Sequence, residues 1–284
     1  MNTTPFLAVI GGSGIYQFPA LKNVKTIEVD TPFGKPSSPI VMGILHEKPV
    51  AFLARHGFGH VLTPTEVNYR ANIFALKKIG AKRIVSISAC GSLREDYAPS
   101  HFVIPNQLFD FTKRRTYSFF GDGMVAHIGS ADPYCSGLRT NVLDAVRQTG
   151  SVVHDSGVYI TIEGPRFSTK AESNLFREWG MSIIGMTACP EAFLAREAGM
   201  CYVTMAHVTD YDVWHVSEKP VTVEMVLQVS KNNTSNAEKA ILNLMDILPP
   251  VSHCDCWDAL KNALLTEQNR IPESTQENLK ILFE

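Results

Sequence analysis
The chain has no excess of positive charge. Its 26 Lys and Arg stand against 28 Asp and Glu, a formal net charge of -2. A nucleic-acid partner, which calls for a basic patch or stripe, is therefore not expected. No apolar run reaches the roughly 18 residues that cross a bilayer. No basic segment followed by a long apolar stretch opens the sequence. The expectation is a soluble cytoplasmic protein without membrane contact. Cysteine is scarce, with 6 in 284 residues, too few for a disulfide scaffold. Internal repeats, low-complexity tracts and interdomain linkers are lacking. So are two nucleotide signatures: G-x-G-x-x-G spacing fails after the first apolar run, and no Gly-Lys-Ser/Thr follows it.

What is present is a core-forming composition, 45% apolar and 19% charged, which argues against disorder. Apolar, β-rich runs at 7–10, 40–44, 50–54, 84–88, 101–104, 157–162, 181–185 and 200–208 read as strands. Helical patterns lie at 66–79, 136–149, 170–179 and 190–198. Thr65 is a plausible cap for the first, and Gly80, Gly180 and Gly199 stand where three of them should stop. A longer helix covers 221–248, weakened at 232–235 by Asn-Asn-Thr-Ser and ended by Pro249-Pro250. Alternating strands and helices favour an α/β fold: one domain over 1–250, with a central sheet between helices. Residues 251–284 read as a polar tail with a short amphipathic helix at 257–265 and a disordered far end.

Short polar or glycine-rich patches follow several strand-like runs: Gly11-Gly12-Ser13-Gly14, Arg55-His56-Gly57, Ser88-Ala89-Cys90-Gly91-Ser92, Glu163-Gly164-Pro165-Arg166-Phe167-Ser168 and Thr209-Asp210-Tyr211-Asp212. Open α/β sheets bind ligands beyond the carboxyl ends of their strands, so one site assembled from many strand ends is expected. Gly11 to Gly14 offers flexible backbone to an anion, although a mere tight turn reads equally well. Arg55 can grip phosphate bidentately; a surface or ion-pair residue is the alternative. Ser88 and Thr187 add hydroxyls. Asp210 and Asp212, two apart in extended backbone, face one way. Their mutual repulsion couples their titrations and favours a proton on one of them near neutrality. A turn or helix cap is the alternative for this pair.

Longer motifs join these patches in a fixed order: Ile10-Gly11-Gly12-Ser13-Gly14-Ile15, Asp30-Thr31-Pro32-Phe33-Gly34-Lys35-Pro36-Ser37, Ala54-Arg55-His56-Gly57, Asn68-Tyr69-Arg70-Ala71-Asn72-Ile73, Ser88 to Arg94, Ile162 to Ser168, Ala171-Glu172-Ser173, Gly185-Met186-Thr187 and Thr209 to Asp212. Together they resemble the trimeric purine nucleoside phosphorylase family, from about residue 6 to 248, and within it the branch that cleaves 5'-methylthioadenosine. The resemblance implies a mixed, twisted β-sheet flanked by helices. It also implies a homotrimer, which could pair into a dimer of trimers. The implied reaction is phosphorolysis of 5'-methylthioadenosine to adenine and 5-methylthioribose-1-phosphate, with inorganic phosphate as co-substrate, no cofactor and no metal at the site.

Carried over by position, Ser13, Arg55, His56, Ser88, Ala89 and Thr187 would bind phosphate. Ser13 and Ser88 stand where the family usually has Thr, which keeps the hydroxyl and drops a methyl. Ala89, Cys90 and Gly91 would line the base pocket. Phe167 would pack on purine and ribose, Ser168 would close the base site, and Met186 would lie under the ribose. Asp210 and Ser88 would be catalytic. Asp210 would protonate N7 of the leaving purine, and Asp212 would accept from the exocyclic amine. Relatives acting on 6-oxo purines carry Asn in place of Asp210. Val223 and Val226 would meet the 5' methylthio group, where those relatives use a polar His. His127 matches a position that reaches a neighbouring subunit's pocket; a structural histidine is the alternative.

Two other classes compete. A nucleosidase would replace phosphate by water and leave Arg55 and His56 unused. A non-catalytic nucleoside-binding protein would show no turnover at all. Apart from the site, His253-Cys254-Asp255-Cys256 could be a metal fragment or a strained disulfide. A zinc site needs about four ligands, and no second cysteine pair at metal spacing exists, so a surface segment is expected. Cys135 and Cys201 could pair across the core. Cys90, Cys189 and Cys201 read as small buried hydrophobes.

Overall fold
Strand β1 (Leu7–Gly11) shows how the sequence builds its layers. Leu7 and Val9 point into one apolar cluster, and Ala8 and Ile10 into another on the opposite face. Successive strand residues point to opposite faces, so a strand apolar at every position needs both faces covered. The computed structural model describes residues 4–12, 18–215 and 223–284. Beyond β1 the chain order is β2 (Lys22–Ile27), β3 (Ile40–Leu45), β4 (Lys48–Ala54), α1 (Tyr69–Lys78), β5 (Arg83–Ser92), β6 (Phe102–Val103), β7 (Gln107–Phe111), α2 (Ser136–Arg147), β8 (Val153–His154), β9 (Val158–Ile162), α3 (Lys170–Glu178), β10 (Ile183–Gly185), α4 (Ala188–Glu197), β11 (Cys201–Asp210), α5 (Val223–Ile247) and α6 (Glu273–Leu279). Helices α2 and α5 cover one face through Leu138, Val142, Ile241 and Leu244. Helices α1 and α4 cover the other through Ile73, Phe74, Ala192 and Leu194.

The sheet is mixed and it forks. Strand β5 runs parallel to β1 through Ile84, Val85 and Ser86, and parallel to β11 along its whole length on the opposite edge. At its far end Gly91 and Ser92 instead pair antiparallel with β10, which leads on to β9 and β7. Since β11 occupies one edge throughout, β1 and β10 share the other. Between them lie residues 87–90, where no strand among the described residues pairs on that edge. The site opens in this gap.

Several expectations are corrected. Helix α1 begins at Tyr69 because Asn68, not Thr65, accepts the N–H of Ala71; Glu66 is held outside the helix by the N–H and hydroxyl of Thr63. Gly80, Gly180 and Gly199 do close α1, α3 and α4 in left-handed backbone, the conformation glycine adopts cheaply at a helix end. Strand β2 reads as polar because it is an exposed edge. The run at 232–235 does not weaken α5: Asn233 is buried, and its side-chain amide donates to the carbonyl of Val208. The tail helix is α6, at 273–279 rather than 257–265, and the far end of the tail packs through Ile271, Leu279 and Leu282. All six cysteines are free, so Cys135 and Cys201 are not bonded, and Cys256, expected on the surface, is buried. No described helix is long and apolar enough to cross a membrane.

Candidate active site
A cavity of about 570 Å³ sits in the fork. Its walls come from the ends of β1, β4, β5, β9, β10 and β11. Gly12, Arg55, His56, Ser88, Ala89, Cys90, Gly91, Phe167, Ser168, Met186, Thr187, Asp210 and Asp212 all line it. Ser13 lies outside the described residues, as do the side chains of Val223 and Val226. His127 does not reach the cavity of its own chain; it is exposed, and its backbone N–H donates to the carbonyl of Ala263.

The hydroxyl-rich part centres on Ser88. Its Oγ lies 3.0 Å from the Tyr159 hydroxyl and 3.3 Å from Thr187 Oγ1. Thr187 occupies the N-cap of α4, yet its hydroxyl makes no capping bond, so it remains available to a ligand. Tyr159 passes so close to Gly185 that a Cβ there would meet its hydroxyl at 2.0 Å. Glycine at 185 is thus required for Tyr159 to stand behind Ser88.

Arg55 is placed differently from the expectation. Its Nε and Nη2 donate to Glu191 at 2.8 and 3.1 Å, Nη2 also donates to Ser86 Oγ at 2.6 Å, and Nη1 donates to the Ile87 carbonyl at 3.2 Å. The bidentate face therefore grips Glu191. With five N–H groups on the side chain, one on Nη1 is left for an anion. Burial by itself would lower the Arg55 pKa, but the charge and hydrogen bonds of Glu191 reverse the direction and raise it. Glu191 is fully buried and also accepts from Ser86 Oγ and the Tyr202 hydroxyl, at 2.7 and 2.8 Å. The sequence reading missed Glu191, Ser86, Tyr159 and Tyr202. The available signal was an acid inside the otherwise apolar stretch 188–195, since a buried carboxylate calls for a cation.

His56 is also redefined. Burial first, and then the Arg55 charge, push its pKa down to about 4. Its Nδ1 lies 2.9 Å from the Leu62 carbonyl. The neutral ring therefore carries its proton on Nδ1 and presents Nε2 as an acceptor. That suits a protonated phosphate oxygen rather than a bare one.

The acidic part of the cavity is Asp210 with Asp212. The two are not neighbours in extended backbone, because β11 bulges at Thr209 and Asp212 has φ +50. Instead the Asp212 N–H donates to Asp210 Oδ1 at 2.8 Å, a turn closed by the side chain. Thr209 donates to Asp210 Oδ2 at 2.6 Å. The turn reading and the site reading thus hold together. The Asp210 pKa is pushed up to about 6, chiefly by burial; the Asp212 charge is a lesser contribution than the repulsion argument supposed. Burial raises Asp212 too. Ser168 and Ser173 lie near enough to draw it back, but neither makes a bond of hydrogen-bond geometry: Asp212 Oδ2, Ser168 Oγ and Ser173 Oγ are buried without partners among the described residues. Such atoms are costly unless a ligand satisfies them. Gly91 makes room for the pair, since a Cβ there would meet Asp210 Oδ1 at 3.0 Å and Asp212 Cβ at 3.3 Å.

The lid side is set by Gly164, at φ +67, whose hydrogen faces Met186; a Cβ would meet the Met186 sulfur at 2.6 Å. Phe167 follows at the rim, 38% exposed, with its ring open to a ligand face. Ala89 is exposed within a strand otherwise largely buried, which marks it as cavity wall.

Known proteins resemble the chain in sequence and in fold. Residues 6–246 match the family profile described as the phosphorylase superfamily. A curated S-methyl-5'-thioadenosine phosphorylase from Koribacter versatilis is 48% identical over 277 residues, covering 98% of this chain and 95% of that one. Another, from Hyperthermus butylicus, is 51% identical over 263 residues, covering 91% and 95%. A crystal structure of a methylthioadenosine phosphorylase from an antarctic soil metagenomic library superposes with TM-score 0.93 at 43% identity, covering 100% of both chains.

Proposed function
The chain belongs to the phosphorylase superfamily, and from that premise we propose that it catalyses phosphorolysis of 5'-methylthioadenosine, giving adenine and 5-methylthioribose-1-phosphate. The observation that carries this reading is one cavity holding both a buried carboxyl whose pKa is raised to about 6, Asp210, and a hydroxyl and N–H set at Ser88, Thr187 and Arg55. The names of the relatives support the same substrate.

Breaking an N-glycosidic bond leaves positive charge on the sugar and negative charge on the purine, and only interactions stronger in that transition state speed the step. Phosphate held by Ser88, Thr187, Arg55 Nη1 and His56 Nε2 stabilises the cationic sugar and then attacks its anomeric carbon. Asp210, with a pKa of about 6, gives its proton to N7 as the bond breaks. Asp212 Oδ2 accepts from the exocyclic amine of adenine. A 6-oxo purine would present an acceptor there and leave two acceptors facing each other. Phe167 packs on the base and Met186 under the ribose. Ser13 belongs to the phosphate set, and Val223 and Val226 to the methylthio end, where apolar contact favours a sulfur and a methyl.

Phosphate ends up bonded to the sugar and is therefore a co-substrate, and each step above is assigned to a side chain of this protein. We assign the chain to the cytoplasm, where free thiols such as these six persist. We assign it a homotrimeric assembly in which His127, exposed on its own chain, reaches a neighbour's cavity.

The test is adenine release from 5'-methylthioadenosine with and without inorganic phosphate, beside adenosine and 5'-methylthioinosine. Phosphate-dependent cleavage with the methylthio adenine substrate preferred is expected. Cleavage without phosphate would make the protein a nucleosidase. Preference for the inosine substrate would overturn the assignment of Asp210 and Asp212.

A further inference from the structure
The fold brings four cysteines together at a distance from the cavity. The sulfur atoms of Cys135, Cys201, Cys254 and Cys256 all lie within 4.8 Å of one another. Three of these residues are buried, the fourth is half-buried, and all are free thiols. Cys135 is the N-cap of α2, Cys201 opens β11, and the other two stand at the turn that begins the tail. The pair that sequence spacing could not supply to Cys254 and Cys256 is therefore supplied by tertiary structure.

The sulfurs are close enough to share one ion. In a tetrahedron of sulfurs about 2.3 Å from a zinc ion, neighbouring sulfurs are separated by about 3.8 Å. Cys135 Sγ and Cys254 Sγ are 3.8 Å apart. Two donors point at the sulfurs: the Leu138 N–H at the start of α2 lies 3.5 Å from Cys135 Sγ, and Arg196 Nη1 donates to Cys256 Sγ at 3.1 Å. Arg196 Nε beside it is buried without a partner among the described residues, so this guanidinium is placed to balance negative charge rather than to complete a bond network.

We infer that Cys135, Cys201, Cys254 and Cys256 bind one zinc ion. Four thiols release four protons as four sulfur–zinc bonds form. Four sulfurs complete the shell and leave no position for water or substrate, so the site is structural. It lies at the opposite end of β11 from Asp210, about 30 Å along the strand, and takes no part in phosphorolysis. Its effect is to clip the tail to the starts of α2 and β11, ahead of the stretch where Ala263 and Leu265 bond the backbone at 125–127.

The experiment is elemental analysis of the full chain, expressed without a polyhistidine tag in zinc-supplemented medium and purified under reductant. About one zinc per chain is expected, retained through gel filtration. Metal-free reduced chain should bind Co2+ with the absorption of tetrahedral cobalt thiolate. The Cys254→Ser/Cys256→Ser double variant should lose the metal and melt several degrees lower than the zinc-loaded parent. A folded, reduced parent chain that takes up neither Zn2+ nor Co2+ would overturn the inference. So would lysis in denaturant with an alkylating agent, followed by an intact mass lacking two alkyl groups and two hydrogens for each cystine, because the cluster would then hold disulfides.

Discussion

At the scale of single residues, the site depends on a carboxyl whose pKa burial raises toward neutrality. The Asp210 pKa rises from 3.8 to about 6, so the folded chain holds this proton to higher pH than the unfolded chain does. The associated stability is present at low pH. It is lost as pH rises from the unfolded value through about 6, and above that the ionised group costs roughly 3 kcal/mol. Asn at this position can keep both bonds: its Oδ1 accepts the Asp212 N–H, and its Nδ2 donates to Thr209 Oγ1, which donates in turn to the Cys90 carbonyl 3.2 Å away. Asp210→Asn should therefore stabilise the protein by about 1–3 kcal/mol near pH 8 and by little near pH 4, read from urea unfolding at each pH. In the unaltered enzyme, kcat/KM should fall as pH rises through about 6. The variant should lose that limb and shift its preference from amino toward oxo purines. Retention of that limb in the variant would refute the role given to Asp210.

At the scale of elements, β4 and α4 are joined through a buried ion pair rather than through apolar packing alone. Arg55 at the end of β4 is 2% exposed and Glu191 in α4 is 0% exposed. Replacing one partner of such a pair leaves an uncompensated buried charge, at about 3–5 kcal/mol. Glu191→Gln should lose stability of that order in denaturant titrations. It should also impair activity through phosphate KM more than through nucleoside KM, because Arg55 Nη1 is held by the same network. A loss confined to stability would separate Arg55 from phosphate binding. The strands of the sheet centre and helices α1 to α5 were legible, since unbroken aliphatic runs and glycine stops announce a doubly covered sheet, whereas β7, β8 and α6 were not read. Strand β2, a Lys-rich edge, was hidden because its order comes from pairing with β3 and not from burial. The Asn68 cap was hidden because Thr65, equally competent as a cap, is drawn away to Glu163.

At the scale of the whole molecule, the tail is part of the core. Leu279 and Leu282 are each 3% exposed and Ile271 is 6%, packed in the cluster that also holds Phe74 and Phe119. Leu279→Ala should cost about 2–4 kcal/mol and, at roughly 2–4 °C per kcal/mol for a chain of this size, lower Tm visibly. A silent substitution would mean a detached tail.

The sequence by itself determined the α/β class, the strand ends that carry chemistry and the ordered motifs of the family, because periodicity and short-range composition are local properties. Only the tertiary structure decided how those residues are used. Arg55 faces Glu191 because β4 and α4 meet, 136 residues apart in sequence. The Asp210 proton reflects burial more than its neighbour two residues on. Four thiols converge because a turn of the tail returns to the starts of α2 and β11. Burial and long-range convergence depend on which elements meet, and no stretch of the chain records that alone.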